Sequence, residues 1–143
     1  MSSPNLNNLV KTGHLKKEAL HHQEFYGLLN SGSARLTDAE NTKLSLESRF
    51  DLAYNAAHAL ALAALRYCGY RPENRYIVFQ ALPQTLKLGP EVWRVIAKCH
   101  DKRNLAEYEG YLEVDEKLLE ELIKSAQILL ERVKALKVMS GCL

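Results

Sequence analysis

Between Ala53 and Ala64, seven of twelve residues are alanine. Alanine is the strongest helix former, and its small side chain lets a neighbouring helix come close. The helix this dictates runs over Ser45–Cys68 and stops at Gly69, a residue suited to the left-handed position after a helix. Phe50, Ala53, Tyr54, Ala57, Ala61, Ala64 and Leu65 keep the 3.6-residue period along it. A helix so rich in small residues must be covered by others, which makes it the central helix of a bundle. The apolar run from Ala56 to Leu65 is too short to cross a bilayer and carries His58. A histidine in such a place is ordinarily a hydrogen-bonded core residue; contact with a ligand is the alternative.

The flanking segments supply the covering helices. Leu6 to Leu29 is loosely periodic and interrupted by Gly13 and Gly27. Ser31 to Ala34, read SGSA, has linker composition. Thr37 and Glu40 match a capping box that would open the next element. On this reading residues 1–36 form an N-terminal helical extension or arm, and residues 37–143 the bundle. After the turn GYRPEN, Arg75 to Leu86 reads as a short helix limited by Pro83. A strand over Ile77–Phe79 is rejected because no partner strand is evident. Gly89-Pro90 opens a further helix through Tyr108, with Pro90 at its first position. Asp115 caps the last one, which runs to about Val138 on a stripe that includes Leu118, Leu122, Leu129 and Val133. The expected fold is an all-α antiparallel bundle of four to five helices.

Charge and cysteine usage exclude several function classes. The net charge of +2 over 143 residues is not that of a generally basic nucleic-acid binder. Cys68, Cys99 and Cys142 are far apart, without ligand spacing for zinc, and read as reduced thiols of a cytoplasmic protein. His21 and His22 are adjacent, so they diverge on a helix and cannot form a ligand pair. With no phosphate-binding glycine loop and no GxSxG, no cofactor, metal or membrane partner is expected.

The chemistry concentrates in Trp93–Tyr111, WRVIAKCHDKRNLAEYEGY. Stepping 100° per residue from Ile96 puts Val92, Trp93, Cys99, His100, Arg103 and Glu107 within roughly 60° of Ile96, the centre of the apolar stripe. Arg94, Lys98, Asp101 and Lys102 occupy the far side, so the solvent face is already charged. Arg103 and Glu107 therefore lie where a charge must be paired. Their i, i+4 spacing allows a local ion pair that only fixes packing, or a polar site at the packed face. Cys99 and His100 are neighbours in sequence and diverge by about 100°, which does not make a thiolate–imidazole pair. The candidate site is His100, Arg103, Asn104, Glu107 and Tyr108, with His58 from the central helix.

The stretch RFDLAYNAAHALALAALRYCGYRPENRYIVFQAL, followed by WRVIAKCHDKRNLAEYEGY, resembles the HEPN superfamily. Within it, the resemblance is to a branch of small bacterial proteins with an RNxAEYEG pattern, and it covers Ser45 to Leu136. It implies a helical bundle that commonly forms homodimers. Many members are metal-independent endoribonucleases, often toxins held by a nucleotidyltransferase-like antitoxin. Their motif is an arginine, a polar residue and a histidine about four to six residues beyond the arginine. Arg103 and Asn104 match the first two; Glu107, Tyr108 and Glu109 stand where the histidine would fall. A phenol, with a pKa near 10, is a poor base at neutral pH. His100 lies one turn before Arg103 and is the alternative proton carrier. The resemblance thus implies a non-catalytic or weakly active module that binds RNA, a nucleotide or a protein partner. The alternatives are a ribonuclease toxin using Arg103 with His100 or Tyr108, and a purely structural or regulatory bundle.

Overall fold

The computed structural model describes residues 4–110 and 113–140. Helix α3 (Leu46–Tyr67) is its axis, and every alanine from Ala53 to Ala64 is buried. Ser45 caps α3, its Oγ accepting the Ser48 N–H at 3.1 Å. Two long helices, α2 (His22–Ala39) and α7 (Glu116–Ser140), pack along it. On the remaining side lie α4 (Arg75–Gln80), α5 (Leu82–Thr85) and α6 (Pro90–Glu109). The fold is an all-α bundle, as the periodicity predicts, but it is cut into seven helices among the described residues rather than four or five. Pro83 and the turn at Ala81 divide α4 from α5. Asp115 caps α7, its carboxylate accepting the Leu118 N–H.

The N-terminal third departs most from the sequence expectation. The chain forms α1 (Pro4–Lys11), turns at Gly13 with φ +83°, and then lays down a three-residue strand, β1 (Leu15–Lys17). β1 pairs antiparallel with β2 (Tyr70–Pro72), matching Leu15 with Pro72 and Lys17 with Tyr70. A partner strand does exist in the chain, therefore, although not for Ile77–Phe79, which are helical. Leu6 and Leu15 enter a second small core with Leu65, Tyr70 and Ile77.

The SGSA segment is not a linker. It lies inside α2, and a Cβ on Gly32 would meet Leu60 Cγ at 2.6 Å. Here glycine supplies close approach of two helices, not a turn. The Thr37–Glu40 capping box is likewise absent. Thr37 sits in the last turn of α2 with its hydroxyl donating to the Ser33 carbonyl, while the cap of the next helix is Ser45. The division between residues 36 and 37 falls within α2, whose Phe25, Leu29 and Leu36 are buried in the main core.

One buried cation ties this region together. Arg66, in the last turn of α3, has 0% of its surface exposed. Its Nε donates to Glu24 at 3.0 Å, and its Nη atoms donate to the carbonyls of Glu18, Ala19 and Tyr70 at 2.8 to 3.1 Å. Its Nη2 also lies 3.3 Å from the Glu18 carboxylate, and Arg71 joins both carboxylates. Every donor of the Arg66 fork is thus engaged, which is the condition under which a buried charge is tolerated.

Candidate functional site

α6 is positioned by its own sequence. Gly89 and Pro90 start it, Gly110 ends it at φ +81°, and Val92, Ile96 and Cys99 bury its apolar edge. Trp93 fixes it to α4 by donating its indole N–H to the Phe79 carbonyl at 2.9 Å. One turn past Ile96, the buried stripe becomes polar at His100 and then Arg103, as the helical wheel predicts. What meets these residues comes from two other helices. α3 presents Asp51, Tyr54, Asn55 and His58, and α4 presents Arg75, Tyr76 and Phe79.

His100 is only 7% exposed and lies in a ring of aromatic contacts. Tyr54, Tyr76 and Phe79 surround it at centroid distances of 5.7 to 6.3 Å. Both of its nitrogens are engaged: Nδ1 with the Tyr54 hydroxyl at 2.9 Å, Nε2 with the Asn104 amide at 3.0 Å. If the Asn104 NH2 donates, Nε2 is the bare nitrogen and Nδ1–H donates to the phenol oxygen; an inverted amide reverses both bonds. Burial holds the His100 imidazole below its ordinary pKa, with Arg75 adding to the effect against an opposing pull from Asp101. His58 edges onto Phe79 at 5.9 Å, and burial, then Arg75, then His100 push it down to about 4. Both histidines are therefore neutral near pH 7. Burial raises the pKa of Tyr54 despite two nearby guanidiniums.

Those guanidiniums belong to Arg75 and Arg103, each 5.8 Å from the centre of the Tyr54 ring. Arg103 is not paired with Glu107. Its Nη2 reaches Asp51 of α3 at 2.9 Å, so the ion pair ties two helices rather than two turns of one. The Arg103 Nε is buried and has no hydrogen-bond partner among the described residues. An open cleft of about 820 Å³ lies alongside, lined by Glu47, Ser48, Asp51, Arg103, Glu107 and Gly110.

Of the residues singled out in the sequence, the fold brings together His100, Arg103 and Asn104, with His58 beside them. Glu107 is exposed on the cleft wall. Tyr108 is 92% exposed. Tyr54, Asp51, Arg75, Tyr76 and Phe79 are the members that sequence reasoning missed. Part of the signal was there, since Asp51, Tyr54, Asn55 and His58 fall at i, i+3, i+4 and i+7, a polar-edged stripe on an otherwise apolar helix. Cys99 is a core residue whose thiol burial pushes up to about 12, and burial also raises Cys68; neither is a thiolate nucleophile at neutral pH. Cys142 lies outside the described residues. No three metal-ligating side chains converge among the described residues, and no helix there is long and apolar enough to cross a membrane.

The chain matches no protein-family model and no curated protein sequence.

Proposed function

We propose that the chain is a HEPN-like helical module that binds single-stranded RNA, or the nucleotide unit of it, on the face shared by α3, α4 and α6, without cleaving it. The observation that carries this reading is the convergence of two guanidiniums on one aromatic ring beside two neutral histidines. Guanidinium forks take phosphate oxygens, and aromatic faces take bases. The absence of cleavage follows from His100. A general base needs a nitrogen that reaches the ribose hydroxyl, and both nitrogens of this nearly buried ring are already bonded to Tyr54 and Asn104. Tyr108, one of the three residues where the family's histidine would fall, is 92% exposed and makes no hydrogen bond to the cluster among the described residues.

One observation favours the purely structural reading: the Arg103–Asp51 bridge is what a helix–helix tie would look like. Anisotropy of a fluorescein-labelled RNA oligonucleotide separates the two, with cleavage in EDTA followed by end-group analysis on the same samples. Salt-dependent binding without new 2′,3′-cyclic ends is the expected result. No binding would leave the structural reading. Cyclic ends that disappear in Arg103→Ala would instead establish a nuclease. Homodimerisation and a nucleotidyltransferase-like antitoxin belong to the same family expectation, and light scattering with co-purification checks them.

A further inference from the structure

We propose that the anion of the ligand is held by Arg75, with Tyr76 stacking on the adjoining base, and that Arg103 is a positioning residue. This inference rests on the RNA-binding reading and assigns the contact within it. The two arginines near Tyr54 are not equivalent. Arg103 has its charge compensated by Asp51 at 2.9 Å and is only 31% exposed. Arg75 is exposed and makes no salt bridge among the described residues; its Nη1 donates to the Asn55 side-chain oxygen at 3.3 Å, and its guanidinium also hydrogen-bonds the uncharged Tyr54 phenol. An amide oxygen does not neutralise a guanidinium, so Arg75 keeps a full positive charge and most of its donors.

The setting of Arg75 is that of a receptor. Its guanidinium lies over the Tyr54 ring, and its charge is felt by both His58 and His100. Both imidazoles are neutral, so neither places a charge that competes with an anion for Arg75. Asp51 is taken by Arg103, and the other carboxylates felt in the cluster, Glu107 at Tyr54 and Asp101 at His100, make no salt bridge to Arg75 among the described residues. Tyr76 adjoins Arg75 on α4, with 45% of its surface exposed and its ring 5.7 Å from that of His100. A planar cation and a half-exposed phenol side by side suit one phosphate and one neighbouring base, the repeating unit of a single strand. Asn55 is then the second-contact residue that aims the Arg75 fork.

The test compares wild type, Arg75→Gln, Tyr76→Ala and Arg103→Gln for binding a labelled single-stranded RNA oligonucleotide over a salt series. Arg75→Gln is expected to weaken binding about tenfold or more, the size of a lost charge-assisted hydrogen bond. It should also lower the slope of log affinity against log salt by about 0.7, one phosphate contact of a single strand. Tyr76→Ala weakens affinity without changing that slope. Arg103→Gln leaves the slope unchanged, because its charge is already paired, and lowers the melting temperature. Normal affinity and slope in Arg75→Gln, with a reduced slope in Arg103→Gln, would overturn the assignment and leave RNA binding standing. Failure of the wild type to bind would overturn both. Arg75 and Tyr76 are surface residues, so circular dichroism of their variants should match wild type.

Discussion

Arg66 and His58 show how differently one side chain can contribute at the residue scale. Arg66 is wholly buried, and its fork is saturated by Glu24 and three carbonyls. Removing it leaves Glu18 and Glu24 with Arg71 as their only arginine partner among the described residues and takes the guanidinium donor from three carbonyls. Arg66→Ala is expected to destabilise the fold by about 3–5 kcal/mol in urea or thermal denaturation. The same bridges set the acid limb of stability. The Arg71 hydrogen bond holds Glu18 below its ordinary pKa, and for Glu24 the Arg66 and Arg71 bonds outweigh the upward push of burial. Depressed carboxyl pKa values give stability that is full above about pH 4.5 and lost as pH falls through the folded-state values.

His58 acts in an earlier window. Its folded pKa is about 4 against 6.5 for the free side chain. Between those values the unfolded chain binds a proton that the folded one refuses, so stability falls as pH drops from 6.5 towards 4. Burial of His100 adds in the same direction. The expected stability curve thus has two descents, one from the histidines and a lower one from the carboxylates. His58→Gln should shrink the first, by on the order of 2 kcal/mol, and leave the second in place. Urea midpoints collected from pH 7 to pH 3 check this; an unchanged curve would mean that His58 is protonated in the fold.

At the element scale, α2 and α3 approach closely at Gly32. A Cβ there would overlap Leu60, which is itself fully buried and cannot swing aside. On an exposed helix, Gly→Ala would gain up to about 1 kcal/mol. At Gly32 the overlap reverses the sign, and Gly32→Ala is expected to lose about 1–3 kcal/mol. Gly27, one turn earlier with nothing within 4 Å of its Cβ position, is the control and should be stabilised. The pair also marks where the sequence was legible and where it was not. Periodicity and alanine content placed α3 almost to the residue, Gly89-Pro90 and Gly110 bounded α6, and Asp115 opened α7. Local chemistry failed where a residue served a distant neighbour. Gly32 reads as a breaker because its reason, Leu60, is 28 positions away. Thr37 reads as a cap because its hydroxyl can serve either helix end. The candidate site divides on the same line. His100, Arg103 and Asn104 share one helix face and could be read together, whereas Asp51, Tyr54 and Arg75 reach them only through the packing of α3 and α4 on α6. Tyr108 was included because it follows Arg103 and Asn104 on the same helix, but its side chain is 92% exposed.

For the whole molecule, the question is whether the site-bearing helices stand without the N-terminal third. α3, α4 and α6 carry all of the cluster, and the sequence suggests a bundle beginning at residue 37. The packing argues otherwise. Phe25, Leu29 and Leu36 of α2 are buried against α3, and burial of each is worth roughly 1.5–3 kcal/mol. Together they amount to about 5–9 kcal/mol, as much as the net stability of many domains. Leu6 and Leu15 cover Leu65 and Tyr70, and Glu18, Ala19 and Glu24 supply most of the partners of Arg66. A fragment of residues 37–143 would expose the alanine face of α3 and leave Arg66 uncompensated at its end. It is expected to lack a cooperative urea transition and to bind a hydrophobic dye, while a chain shortened only by residues 1–3 unfolds as the full chain does. A sharp transition in the 37–143 fragment would show that the N-terminal third is an appendage. Its absence would mean that the face of α3, α4 and α6 forms only because α2 and the β1–β2 pair hold α3 in place.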